Sequence, residues 1–173
     1  LNAIATVIRM LTGLISIKVV ATIIGPSGIA LLGQLNNFSS VVLSLANGGI
    51  TAGMTKYIAE NADDQSSFST YLSTGFKITL TLTIIASLVL IFGAGYFSKS
   101  LLLTDEYKSV FIIFGLTLIF FSLNTLITSI INGFREYKKF VIVNITGSIV
   151  GLLFSVILAI KYGLYGALIS SVT

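Results

Sequence analysis

The sequence predicts an all-α, polytopic bundle of transmembrane helices, and three observations carry that expectation. The chain of 173 residues is 55% hydrophobic and only 9% charged, against about 25% charged in a soluble chain. Its mean hydropathy is +1.02. Its apolar residues fall in continuous runs, as in Ile84 to Ile91 or Val110 to Phe121, and not in the ~10-residue alternating strands of a membrane β-barrel. So few charges cannot cover the surface of a water-soluble domain, whereas lipid serves as solvent for such a surface.

Five apolar stretches follow one another at 3–24, 29–56, 71–97, 110–132 and 140–161, and a sixth, 166–173, begins and is cut short. At 1.5 Å per residue each complete stretch can cross ~30 Å of hydrocarbon. The first is too long, and too cationic inside, for the core of a signal peptide. The connections are short. Gly25-Pro26-Ser27-Gly28 holds the only proline, placed where a helix should stop and the chain turn back. Glu60 to Phe68, Ser98 to Glu106, Gly133 to Lys139 and Lys161 to Gly166 make the others. The bracket Gly163-Leu164-Tyr165-Gly166 has the spacing of Gly25 to Gly28 and hints at an internal repeat. The chain opens on Leu1 and closes inside an apolar run, so it reads as a fragment of a longer protein.

Lysine and arginine in short loops set the orientation. Arg135, Lys138 and Lys139 place the loop after the fourth stretch in the cytoplasm. Counting back, the 60–68 loop and the N-terminus are cytoplasmic too, while the Gly25–Gly28 turn, the Ser98–Lys108 region and the Lys161 turn face outward.

The composition excludes several chemistries. There is no Cys and no His, which removes thiolate nucleophiles, disulfides and imidazole metal sites. Glu60, Asp63, Asp64, Asp105, Glu106 and Glu136 are the only acids, and all lie in loops or at span ends. A buried carboxylate relay or a paired-carboxylate enzyme within these spans is therefore not expected. The basic residues are scattered apart from the short cluster at 135–139, so nucleic acid is not an expected partner. No cofactor is implied.

The candidate functional residues are the polar ones inside the spans. Arg9 and Lys18 lie within the first, where a cation costs about 2.5–3.5 kcal/mol on insertion scales. Asn2, Thr6, Arg9, Gly13 and Ser16 follow steps of three and four and share a face. Lys18 stands about half a turn round from Arg9. Each cation either snorkels to headgroups or lines a polar cavity. The second span carries Asn37, Ser40, Ser44, Asn47, Thr51 and Thr55 at the same steps, with Gln34 and Lys56 near the two ends of the stripe. Such a stripe packs helices together or faces water and substrate. Gly48-Gly49 and Gly53 in that span permit close packing, the favoured reading, or a bend. Thr125, Thr128 and Asn132 share a face of the fourth span, with packing the default. A cationic and neutral-polar lining suits an anionic ligand, phosphate above all.

The segments TVIRMLTGLISIKVVATIIGPSG (6–28), IALLGQLNNF and GGITAGMTKYIAE, with the later INGFREYKKF and KYGLYGAL, resemble Wzx-type flippases. These are the O-antigen and enterobacterial-common-antigen translocases of the multidrug/oligosaccharidyl-lipid/polysaccharide (MOP) exporter superfamily. The resemblance implies a parent of about twelve helices in two six-helix lobes, this chain being the first lobe, with five complete spans and the start of a sixth. It implies a non-enzymatic protein of the bacterial inner membrane that moves undecaprenyl-pyrophosphate-linked oligosaccharide between leaflets by alternating access. By position, Arg9, Lys18 and Lys56 would contact pyrophosphate, and Gln34, Asn37, Asn47 and Thr51 would line the sugar cavity. Membrane lipid, the second lobe of the same chain and polysaccharide polymerase machinery would be its partners. A multidrug exporter of the same superfamily is the alternative, a membrane glycosyltransferase or a purely structural bundle the more distant rivals.

Overall fold

The computed structural model describes the backbone of residues 2–60, 65–134 and 137–173, and the side chains of these except residues 2–5, 8, 9, 59, 60, 65–68 and 137. Among the described residues every regular element is a helix, in the order α1 (Asn2–Asn47), α2 (Ile50–Glu60), α3 (Gln65–Phe92), α4 (Ala94–Leu102), α5 (Lys108–Gly133) and α6 (Tyr137–Ser171). Four stretches of the described residues are long and apolar enough to cross a membrane: Met10–Asn47, Ser69–Phe92, Lys108–Gly133 and Lys138–Ser171. Large apolar side chains such as Leu14, Ile17, Leu116, Phe120, Ile142 and Ile160 stand exposed along them. In water these would be an aggregation hazard, but in a bilayer they are the solvated surface. The chain is a multi-pass membrane protein.

Both long terminal helices break at a glycine. Gly25 takes φ 72, ψ −179 inside α1, a conformation essentially closed to side chains with a Cβ. Pro26 then opens the second arm, where its missing N–H has no partner to lose. The arms 2–24 and 26–47 fold toward each other, since Val20 of the first and Leu32 of the second pack in one cluster. In a straight helix those positions would be ~18 Å apart. A Cβ on Gly28 would lie 2.8 Å from that of Ile24, so only glycine fits the returning arm. The same grammar recurs in α6. Gly163 takes φ 57, ψ −134, and a Cβ on Gly166 would meet the Leu158 carbonyl and, at 2.9 Å, Tyr162 Cβ. The two Gly-x-x-Gly brackets of the sequence thus have one form, and the two hairpins pack against each other through Val20, Ala159 and Ala167.

The second and third expected stretches differ from the expectation. The run 29–56 is not one helix: it breaks at Gly48 (φ 55) and Gly49 (φ 66), and α2 starts afresh at Ile50. The bend is realised, and close packing accompanies it, because a Cβ on Gly48 would lie 2.6 Å from Leu82 Cδ1. The run 71–97 bends at Gly93. There the Gly93 N–H still reaches Val89 O (2.9 Å) and the Phe97 N–H reaches Gly93 O (3.0 Å), so α4 carries on from α3 at an angle.

Helix α5 is the centre of the bundle and touches every other helix. Its buried face, Phe111, Phe114, Leu118, Ser122, Leu126, Ser129 and Gly133, keeps steps of three and four throughout. At the α4 end of the bundle Phe111 joins Phe38 and Phe97 with ring centroids 5.9 and 6.0 Å away. At the other end α2 lies against α3 and α5, with Tyr57 stacked on Tyr71 at 4.9 Å. Here Gly133 lets α5 approach until a Cβ would be 2.8 Å from that of Ile58.

Candidate functional site

The polar residues of α1 and α2 fall into separate stations along the bundle. A cleft of about 560 Å³ lies between α2 and α5 and is lined by Thr51, Thr55, Lys56, Thr128, Ser129 and Asn132, with Phe140 of α6 and Ala52. Thr55 fastens its wall, its hydroxyl lying 2.9 Å from Thr51 O and 3.3 Å from Ser129 O across the interface. Lys56 is exposed at this cleft. A cation on a flexible stem beside hydroxyls and an amide can hold an oxyanion that enters from solvent.

A second cleft of about 330 Å³ lies between α1 and α4, where Gln34 and Asn37 meet Ser100 and Leu101. Both amides are exposed, and their mixed donors and acceptors suit sugar hydroxyls. A third, about 410 Å³, separates the two glycine hairpins. Ser16, Asn36, Ser155, Ser170 and Ser171 give it a polar lining, and Ser155 Oγ lies 3.5 Å from Ser16 Oγ and 3.3 Å from Ser170 Oγ.

The seven residues expected from the sequence are thus not gathered in one place. Thr51 and Lys56 share the α2–α5 cleft, and Gln34 and Asn37 share the α1–α4 cleft. Asn47 sits between them at the helix break, its Oδ1 buried and without a hydrogen-bond partner. Lys18 is exposed. It lies two positions beyond Ser16, on the side of the arm away from the hairpin cleft. Arg9 is in α1, but its side chain lies outside the described residues, as does the 61–64 part of the expected cytoplasmic loop and Arg135 of the basic cluster. The polar stripe of the second span stays exposed at Asn37, Ser40 and Ser44. The Ser40 hydroxyl donates to Asn36 O at 2.8 Å, which lowers the cost of its apolar setting.

Sequence reasoning missed Asn36, Ser155 and Ser170, because serines scattered along an apolar run look like packing residues. Thr128 and Asn132 share a face, as their spacing indicated, but that face lines a cleft.

Two curated proteins are similar to this chain: the Lipid III flippase of Escherichia coli (strain K12) and the Lipid III flippase of Shigella flexneri. Each is 26% identical over 152 residues, covering 88% of this chain and 36% of the relative. The chain therefore spans little more than a third of the length of these relatives. No solved structure matches it. The family model described as polysaccharide biosynthesis protein matches residues 1–173, the whole of the sequence, and the chain belongs to that family.

Proposed function

We propose that this chain is the first lobe of a flippase that carries a polyprenyl-pyrophosphate-linked oligosaccharide, an O-antigen unit or a related repeat, across the bacterial inner membrane. Family membership and likeness to proteins named as flippases support the general reading. The single observation that carries it here is the exposed polar face of α1. Asn37, Ser40 and Ser44 remain uncovered on an arm of membrane-spanning length, where lipid would be the wrong solvent for them. A second lobe facing this arm would enclose a wet passage. The same arm leads at one end to the Gln34–Asn37 cleft and at the other to the Thr51–Lys56 cleft.

On this reading Lys56 and Lys18, with Arg9, compensate the pyrophosphate, and the amides of Gln34, Asn37 and Asn47 and the hydroxyl of Thr51 meet the sugar. The polyprenyl tail stays in hydrocarbon. The protein rocks between inward- and outward-open forms about the passage and makes or breaks no covalent bond. Its N-terminus lies in the cytoplasm.

The test uses the full-length protein in proteoliposomes with a fluorescent polyprenyl-pyrophosphate sugar. Arg9→Ala, Lys18→Ala and Lys56→Ala together should lower the flipping rate at least tenfold while insertion is retained. Flipping at the parental rate in the triple variant rejects the role given to the cations. Export of an organic cation in place of lipid-linked sugar would favour the drug-exporter alternative.

A further inference from the structure

Four buried side-chain oxygens have no hydrogen-bond partner among the described residues: Ser39 Oγ, Asn47 Oδ1, Thr83 Oγ1 and Ser122 Oγ. Three of them lie at one height in the bundle. Helices α2 and α5 run parallel, with Thr55 against Ser129 and Ile58 against Gly133. Stepping back along both, the start of α2 at Ile50 falls level with Asn124, half a turn from Ser122. Helix α3 runs antiparallel to these, with Gly75 against Met54 and Leu82 against Gly48. Gly115 of α5 meets Ser87 and Ile91 of α3, which again sets 122 near 82–84. Asn47, Thr83 and Ser122 therefore converge on the level of the Gly48-Gly49 break.

Their state is unusual for this protein. A serine or threonine in an apolar helix normally donates to the carbonyl four residues back. Here Thr81, Thr117, Thr125 and Ser129 do so at 2.8–2.9 Å. Thr83 and Ser122, 1% and 2% exposed, do not. Each forgoes the nearest acceptor, and none of the buried oxygens bonds to another. An unpartnered buried polar atom costs about 1–3 kcal/mol, so an arrangement of three at one level calls for a species between them. The break adds more oxygen. Ser44 O and Leu45 O accept from the Gly48 N–H at 3.1 Å, and the carbonyls of Ala46 and Asn47 lie nearest the break.

We propose that this level is a sodium site, in which Asn47 Oδ1, Thr83 Oγ1, Ser122 Oγ and the carbonyls of Ala46 and Asn47 ligate one Na⁺. The donor set is all oxygen, which selects a hard cation. It holds no carboxylate, and no group of acids that could hold a metal exists among the described residues, which disfavours a divalent ion. Broken membrane helices with open carbonyl ends are the kind of element that coordinates Na⁺ in transporters. The site lies between the Gln34–Asn37 and Thr51–Lys56 clefts, at the joint where α2 leaves α1, so occupancy would fix the angle of that joint. The argument stands on packing and unpartnered atoms and does not depend on the flippase reading.

The test measures ²²Na⁺ binding to the purified full-length protein, with choline as the inert replacement and K⁺ as competitor. Saturable binding is expected, with Thr83→Val and Ser122→Ala each weakening it at least tenfold. Thr83→Ser, which keeps the hydroxyl, should retain it. Ser39→Ala removes the fourth unpartnered oxygen, ~12 Å along the arm from Asn47, and should leave binding unchanged. Absence of saturable binding, or parental affinity in the Thr83→Val/Ser122→Ala double variant, overturns the proposal and leaves the space to water. Should the double variant fail to fold, thermal stability of the parent in NaCl against choline chloride decides. A rise in Tm with Na⁺ that Thr83→Val abolishes supports the site, and equal Tm in the two salts overturns it.

Discussion

Replacing Gly166 by alanine should destabilise the protein more than any other glycine-to-alanine change in α6. The added Cβ would strike the carbonyl oxygen of Leu158, and would lie 2.6 Å from that residue's carbonyl carbon and 2.9 Å from Tyr162 Cβ. None of these is the movable end of a side chain, so no rotamer change relieves the clash. The turn at Gly163 must open instead. That displaces the arm beyond it, whose Leu168 and Val172 are fully buried in the main core. Overpacking of this kind costs about 1–3 kcal/mol and sometimes more, and a backbone obstacle belongs at the upper end. For a chain of this size ~3 kcal/mol corresponds to a fall in Tm of about 6–12 °C, and to less in the longer full-length protein. Gly151→Ala is the control: its Cβ meets nothing within 4 Å, and helix propensity favours alanine by up to about 1 kcal/mol. Heating a fluorescently tagged full-length protein in detergent, followed by size-exclusion chromatography, reads both. Gly166→Ala melting within about 2 °C of Gly151→Ala would refute the close return of α6 at this turn.

Three further outcomes can be checked by the same assay. Gly25→Ala has open space around it, so its whole effect is the backbone conformation at φ 72, and a loss of about 1–3 kcal/mol is expected. Phe111→Ala removes a fully buried ring that contacts Phe38 and Phe97. Lipid already provides an apolar solvent, so the loss should come from the void and the ring contacts, at about 2–4 kcal/mol. Asp105→Asn breaks the 2.9 Å bridge to Lys99, whose partners are 67% and 49% exposed, and should change stability by less than ~1 kcal/mol.

The helical class was legible because a bilayer makes one demand: long runs of apolar residues with the backbone satisfied internally. The turn at Gly25-Pro26 was legible for a local reason, since the glycine can end one helix and the proline after it can start the next. Two interruptions were less so. Gly48-Gly49 lies in a run whose side chains keep helical spacing on both sides, so period alone carries α1 straight into α2. Gly93 ends α3 and starts α4 with a bond on either side, to Val89 O and from the Phe97 N–H, and a single glycine in an apolar run has no flanking polar signal to mark it. Each is decided by what packs alongside: Leu82 against Gly48, and the Phe97 ring beside Gly93.

The grouping of the candidate site residues was not legible in the sequence. A stripe at steps of three and four correctly marks residues on one face of a helix, but it assumes that the helix continues. Once the chain breaks after Asn47, Thr51 and Lys56 belong to α2 and turn with it toward Thr128 and Asn132, while Gln34 and Asn37 stay with the α1 arm. Adjacent residues also part company. Asn36 and Asn37 point about 100° apart, which sends one into the hairpin cleft and the other toward α4. The pair Thr83 and Ser122 gave no signal, because a lone hydroxyl in an apolar helix is usually satisfied by its own backbone. Only a structure shows that these two are not. The proposed ion site rests for that reason on polar residues that are inconspicuous in the sequence.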